Sequence, residues 1–343
     1  MNEIIVRCIT ETSRGYGNFT RSFTLAQSLY KQGFKITFLI NHNKYIINQL
    51  KQQKISFVLI PKSISYSKEF FFISKFMNSQ RKLLILDMRE YGEQISKKLM
   101  NKNFNTILID DAFCKRVYAD IFFNGTLIKK YHNYRQVNEN SKLYLGSKYF
   151  LANKEFLEHK KTISEIKNKK NYHVVISIGG SDPTQLSLFI IKSIMDIPKI
   201  KITLIVGPFF KNVKKIRESI IHYDNIKLVY SPKKIWKIFQ KADVVISKSG
   251  ITLYELAIMG IPTICISSFK HEEPNAKVFA SKGFLINLGM QKNIKSNDIQ
   301  NALITILNDK TKRKKMSIIG RKLIDGRGLL RVTKIITEFL HII

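Results

Sequence analysis

Acidic residues are scarce: 25 Asp and Glu stand against 58 Lys and Arg, a formal charge of +33. An imbalance of this size predicts attraction to anions, and nucleic acid, an anionic membrane face and a phosphorylated substrate all qualify. Charge alone does not choose among them, and much of it is Lys mixed with Asn and Ile, which fits a composition bias equally well. No zinc-finger or ribonucleoprotein motif accompanies the charge, so no specific nucleic-acid partner is expected. Cysteine is also rare. Cys8, Cys114 and Cys265 lie far apart without metal-site spacing, which predicts a reduced, cytoplasmic chain and no metal or other cofactor. No apolar run approaches the length of a membrane span. The first strand begins almost at Met1, leaving no room for a signal peptide. A G-x-G-x-x-G dinucleotide fingerprint is absent too.

What is present is enough apolar residue, 44% of 343, to bury two cores. The rest of the chain is organised around Ala242 to Gly260, ADVVISKSGITLYELAIMG. Val244 to Ile246 read as a short strand, Ser247 to Gly250 as a small-residue turn, and Thr252 onward as a helix packing through Leu253, Leu256 and Ala257. The first N–H groups of such a helix lack internal partners, so with the hydroxyls of Ser249 and Thr252 they can receive a diphosphate. Glu255 lies where a carboxylate could reach a sugar diol. The alternative is that Thr252 and Glu255 form a T-x-x-E capping box.

Taken in order, Glu3 to Cys8 is a strand, Thr10 to Asn18 a polar turn with Gly15 and Gly17, and about Phe19 to Gln32 a helix. Phe34 to Ile40 follows as a strand, completing a βαβ unit whose loop lies at the ligand-binding carboxyl edge. Leu83 to Leu86 ends in Asp87 and Thr106 to Ile109 ends in Asp110 and Asp111, placing acids on the same rim. Asp110 reads equally as a turn cap or a functional group. Composition shifts near Asn153, and the Lys- and Glu-rich stretch up to Asn171 fits a solvated linker or interdomain helix. A second α/β pattern starts at His173 to Ile178, followed by Gly179 and Gly180. The expected organisation is an N-terminal Rossmann-like domain over 1–152, a linker over 153–171, a nucleotide-binding Rossmann-like domain over 172–325 and a closing helix over 326–343. Two such parallel-sheet α/β domains would take their ligand in an interdomain cleft.

Five stretches carry a family resemblance: GYGNFTRSFTLAQSL at 15–29, LYLGSKYFLANKEF at 143–156, VVISIGGSDP at 174–183, ADVVISKSGITLYELAIMGIP at 242–262 and HEEPNAKVFASKGFLINLG at 271–289. In that order they resemble the nucleotide-sugar hydrolases of pseudaminic acid synthesis and the related spore-coat polysaccharide proteins, cousins of the MurG-type glycosyltransferases. The resemblance implies a GT-B-like fold and a UDP-sugar substrate. It places the diphosphate on Ser249, Gly250, Ile251 and Thr252, the ribose on Glu255, the base near the loop after Tyr230, and the Gly179 and Gly180 loop beside the ligand. Gly15, Tyr16, Gly17, Arg21 and Glu273 complete the substrate-binding set. Arg21 reads either as a phosphate contact or as a solvated helix arginine paired with Glu11.

The departures concern the reaction. The hydrolases carry a water-activating histidine where this chain has Asn18, and an amide accepts no proton at neutral pH. Their Asn-Gln pair aligns with His271 and Glu272. Their early Arg-x-Asp pattern is reduced to Arg7 and Ile9. A base is then to be sought among His271, Glu272, Glu11 and Asp111, with Asn18 able only to orient a hydroxyl or bind a phosphate. The expectation is a glycosyltransferase of surface polysaccharide or nonulosonic-acid-type glycan synthesis that cleaves the anomeric C–O bond of a UDP-sugar. The alternatives are a UDP-2,4-diacetamido-2,4,6-trideoxyhexose hydrolase with a relocated base, and a non-catalytic nucleotide-sugar-binding protein. The basic excess favours transfer to a saccharide or lipid-phosphate acceptor, with the amphipathic helix over Lys310 to Lys322 touching the anionic inner membrane face.

Overall fold

The computed structural model describes residues 3–10, 17–61, 64–65, 68–77, 82–100, 102, 104–111, 113–163 and 165–342. Two compact units divide the chain, the first formed by 1–153 with 327–343 and the second by 154–326. In the first unit β1 (Glu3–Cys8), α1 (Gly17–Tyr30), β2 (Lys35–Ile40), α2 (Lys44–Gln52), β3 (Ser56–Leu59), α3 (Glu69–Phe76), β4 (Lys82–Asp87), α4 (Gly92–Met100) and β5 (Asn105–Ile109) alternate, then β6 (Arg116–Val117), β7 (Ile121–Asn124), β8 (Arg135–Gln136) and β9 (Lys142–Leu145) follow. Seven strands form one parallel sheet in the order β3-β2-β1-β4-β5-β7-β9. The pair β6 and β8, not expected from sequence, makes a small parallel sheet of its own.

Alternation along β1 sorts its side chains between two apolar layers. Ile4, Val6 and Cys8 pack with α1, α2 and the C-terminal helix, while Ile5 and Ile9 pack with residues of α3 and α4. Arg7 points into the second layer and is fully buried. Its guanidinium meets Glu69 bidentately at 2.7 and 2.8 Å and donates to Asn41 Oδ1 at 2.9 Å. Such a charge survives in a core only when paired and hydrogen-bonded.

The second unit runs α5 (Lys154–Glu158), β10 (Tyr172–Ser177), α6 (Leu186–Ile194), β11 (Ile200–Val206), α7 (Val213–Ser219), β12 (Ile226–Tyr230), α8 (Trp236–Lys241), β13 (Val244–Lys248), α9 (Ile251–Met259), β14 (Thr263–Ser267), α10 (Glu273–Ser281), β15 (Leu285–Met290), α11 (Ser296–Asn308) and α12 (Lys310–Leu323). Its six parallel strands lie in the order β12-β11-β10-β13-β14-β15. The chain ends in α13 (Gly328–Ile342), whose Leu329, Val332, Ile336 and Leu340 join the core of the first unit. The architecture is therefore two Rossmann-like parallel-sheet domains, as the strand and helix pattern predicts. No helix among the described residues is long and apolar enough to cross a membrane.

Two charged residues in the basic stretches are interior. Lys161, in the Lys-rich stretch after Asn153, is buried, donates to Ala242 O at 2.6 Å and pairs with Asp243 at 3.5 Å. Arg313 of α12 is buried and donates to the carbonyls of Ile306, at 2.7 Å, and Leu307. It neutralises the negative end of α11, where the last carbonyls have no helical partner.

Candidate functional site

Strand order reverses between β1 and β4 in the first sheet and between β10 and β13 in the second. Ligands of open α/β sheets bind outside the carboxyl ends of the strands at such switch points. Most of the sequence-predicted residues that are described fall at these two places, and three lie after the neighbouring strand β14.

At the second switch point Ser247 Oγ donates to Ser177 O at 3.0 Å, tying the ends of β13 and β10 together. The loop after β10 turns through Gly179, whose φ of +90° a side chain would resist. Asp182, buried, accepts from Leu186 N at 2.8 Å and Ser187 N at 3.0 Å, capping α6 and fixing that loop. Gly207 at the end of β11 completes the fit, since a Cβ there would lie 2.5 Å from the carbonyl oxygens of Gly179 and Gly180.

The helix after β13 begins one residue earlier than expected, at Ile251, with Gly250 as its N-cap and no side chain capping it. Its first N–H groups thus stay open. Ser249 Oγ is buried with no hydrogen-bond partner, and the Cys265 thiol lies beside it. Thr252 is half-buried on the first turn. The capping-box alternative fails: Thr252 is the second helical residue, and Glu255 sits inside the helix, two positions too late to bond an N-cap of this kind. Glu255 is half-buried and makes no hydrogen bond or ion pair to a described residue. Burial pushes its carboxyl up to about 7.

Three further predicted residues lie after β14. Glu272 is buried, accepts from Ser268 N at 2.8 Å and Phe269 N at 3.2 Å, and pairs with Lys248 Nζ at 3.5 Å. Its oxygens are occupied by internal donors, an arrangement suited to holding two turns together. His271 is exposed and its ring stacks on that of Phe269, with the centroids 5.8 Å apart. Glu273, half-buried, pairs with Lys277 at 3.6 Å.

At the first switch point Asp87 ends β4 opposite Cys8 of β1 and is fully buried. Four hydrogen bonds converge on it from α1: Asn18 Nδ2 at 2.6 Å, Arg21 Nε at 2.7 Å, Arg21 Nη2 at 2.6 Å and Ser22 Oγ at 2.9 Å. The remaining Arg21 terminal nitrogen reaches Asp111 Oδ1 at 2.5 Å. Burial opposes the Arg21 charge, but Asp111 and Asp87 outweigh it and hold the guanidinium well above its ordinary value. Arg21 is thus no solvated helix arginine. Asp111 is 41% exposed, so one carboxylate of the group faces solvent. Its neighbour Asp110 is a turn cap, accepting from Phe113 N at 3.1 Å, Cys114 N at 3.2 Å and Tyr134 Oη at 3.2 Å. Burial, with the adjacent Asp111 charge, raises Asp110 to about 6. Gly17 opens α1, whereas Gly15, Tyr16 and Glu11 lie outside the described residues. Asp87 was placed on the rim from sequence but given no role, and Ser22 and Lys248 were not singled out. A strand ending in an acid was the one available signal, and it did not disclose the partners.

Comparisons with known proteins agree with this layout. Residues 145–324, just over half the chain, match the family model described as the glycosyltransferase family 28 C-terminal domain. The chain is 24% identical over 333 residues, 95% of both chains, to the spore coat polysaccharide biosynthesis protein SpsG of Bacillus subtilis. Among solved structures it superposes on MurG of Acinetobacter baumannii with a TM-score of 0.72 at 14% identity, covering 98% of this chain and 100% of that one. The spinosyn rhamnosyltransferase SpnG complexed with thymidine diphosphate gives a TM-score of 0.66 at 11% identity, covering 98% and 100%. These likenesses identify the fold as GT-B.

Proposed function

The chain belongs to the family of the glycosyltransferase family 28 C-terminal domain, and on that premise we propose that it transfers the sugar of a UDP-sugar to an acceptor hydroxyl in surface polysaccharide synthesis. The observation that carries this reading is the uncapped start of α9 at a switch point, with the buried, unpartnered Ser249 Oγ beside it. Oriented N–H groups and a hydroxyl without a partner are what a diphosphate needs, and they need no metal to stabilise the leaving group. Similarity to a spore-coat polysaccharide protein and to a transferase bound to a nucleoside diphosphate supports the same ligand class.

In this reaction the acceptor oxygen bonds to the anomeric carbon as the bond from that carbon to the diphosphate oxygen breaks. The electron pair goes to the diphosphate, held by Ser249, Gly250, Ile251 and Thr252, and Glu255 accepts from the ribose hydroxyls. The acceptor proton goes to Asp111, the exposed carboxylate held by Arg21. Glu272 is a weaker choice because its oxygens already serve Ser268, Phe269 and Lys248. Asn18 orients and does not take the proton. The basic face of α12, with Lys310, Lys315, Lys322 and the 54% exposed Ile318, suits the cytoplasmic face of an anionic membrane carrying a lipid-phosphate-linked acceptor.

The test is a product assay with a panel of UDP-sugars, including 2,4-diacetamido-6-deoxy sugars, first without acceptor and then with saccharide and lipid-phosphate acceptors. Turnover only with an acceptor is the expected result. Free sugar released in water alone would replace transfer by hydrolysis of the pseudaminic-pathway type. Binding without turnover in either arm would leave a nucleotide-sugar-binding protein.

A further inference from the structure

We infer that Asp87 is the positioning residue of the nucleophile side, fixing both the Asn18 amide and, through Arg21, the Asp111 carboxylate. This rests on the transferase reading, in which Asp111 receives the proton. Asp87 has no exposed surface, so it touches no substrate itself. Its two oxygens are filled from a single helix: Oδ1 by Asn18 and Arg21 Nη2, Oδ2 by Arg21 Nε and Ser22. A buried carboxylate accepting four donors from the first turns of α1 leaves those side chains one arrangement.

Two consequences bear on chemistry. A carboxylate can only accept, so the Asn18 nitrogen is the atom committed to it and the Asn18 oxygen is left over. That oxygen has no partner among the described residues, and the side chain is half-buried at the rim. It can take a hydrogen bond from an acceptor hydroxyl next to the nucleophile. Arg21 is held by two nitrogens on Asp87, which directs its third to Asp111. The rotamer of a side chain that is 41% exposed is thereby set from inside the protein. Asp87 thus orders two rim groups that come from chain segments far apart in sequence.

The experiment compares Asp87→Asn, Asp111→Asn, the double variant and Ser22→Ala with the unaltered enzyme. Turnover is normalised to nucleotide sites titrated calorimetrically with UDP, so that lost fold is not read as lost kcat. Asp87→Asn should lower kcat about 100-fold with the donor KM within about twofold, in the range of misplaced general-base catalysis. The losses should be far from additive: with Asp111→Asn already present, adding Asp87→Asn should cost only the few-fold that runs through Asn18, since the rest of its effect acts through Asp111. Ser22→Ala, which removes one hydrogen bond and no charge, should lower kcat about threefold and leave the donor KM unchanged. Additive losses, or an unaltered kcat in both Asp87→Asn and Ser22→Ala, would overturn the assignment while transfer itself stands. An unaltered protein that takes up no UDP and turns over no UDP-sugar would remove the transferase reading and the assignment with it.

Discussion

At the end of β4, Asp87 receives four hydrogen bonds, whereas just past the end of β13 Ser249 Oγ receives none. Both groups are buried at a point where the strand order of a parallel sheet reverses. The first unit has closed its polar groups upon one another. Among the described residues, Asn18, Arg21, Ser22, Asp87 and Asp111 form a network in which every Asp87 oxygen is bonded and only the rim atoms of Asn18 and Asp111 are left over. The second unit has left its groups open, with an uncapped helix, an idle hydroxyl and a carboxylate that burial has pushed up to about 7. An unsatisfied buried polar group costs about 1–3 kcal/mol. A ligand that supplies the missing partners would recover that cost, so the open edge fits a binding function and the closed edge fits a rigid mount for chemistry.

Breaking the closed edge should give the largest effect. Arg21→Ala leaves Asp87 buried with only neutral donors, and removing one partner of a buried ion pair costs about 3–5 kcal/mol. The loss should be confined to the first unit. The single tryptophan, Trp236, lies in α8 of the second unit, so its fluorescence reports that unit, while circular dichroism reports both. In urea the variant should show the dichroism transition moving to lower denaturant while the fluorescence midpoint stays. Coincident shifts would mean that the network also supports the second unit.

Glu255 sharpens the other side of the comparison. Its folded carboxyl is raised above the ordinary 4.5. A raised acid favours the folded state while protonated and costs stability once ionised, so the penalty grows as pH rises from about 4.5 to about 7 and is constant above. Glu255→Gln should therefore match the unaltered protein at pH 4 and exceed its stability by about 1–3 kcal/mol at pH 8, with half-burial limiting the gain. Ribose hydroxyls donate to the ionised form, so UDP affinity should rise from pH 6 to pH 8, and the rise should be smaller in the glutamine variant. An equal pH dependence of the two affinities would detach Glu255 from the nucleotide.

The two edges also differed in how far they could be read from sequence. The second was nearly complete in one stretch, because Ser249, Gly250, Thr252 and Glu255 are local: a short apolar strand, small residues and a helical spacing place them together without knowledge of the rest. The fold was legible for the same reason, with strands such as Glu3–Cys8, Lys35–Ile40 and Val244–Lys248 bounded by glycine or polar turns. The first edge depends on tertiary pairing. Arg21 meets Asp87 and Asp111 across 66 and 90 residues, and nothing in the local pattern prefers them to the nearby Glu11. Burial of charge is equally invisible to a local reading. Arg313 and Lys161 lie in basic runs that look solvated, and the carbonyls and carboxylate that take their charge come from elsewhere in the unit.

Ser249 provides the finest discrimination between an open edge and an imperfectly packed one. Removing a hydroxyl that is hydrogen-bonded in the folded protein destabilises it, but Ser249 Oγ has no partner to lose. Ser249→Ala should thus leave the fluorescence-detected stability of the second unit within about 0.5 kcal/mol, or raise it slightly, because a desolvated hydroxyl has been deleted. The same change should weaken UDP binding by about 10- to 100-fold, the worth of one hydrogen bond to a charged phosphate. Calorimetric titration and urea unfolding on one preparation measure both. A loss of stability with unchanged affinity would mean that the hydroxyl serves the fold through the neighbouring Cys265 thiol, and the contrast with Asp87 would then be one of degree.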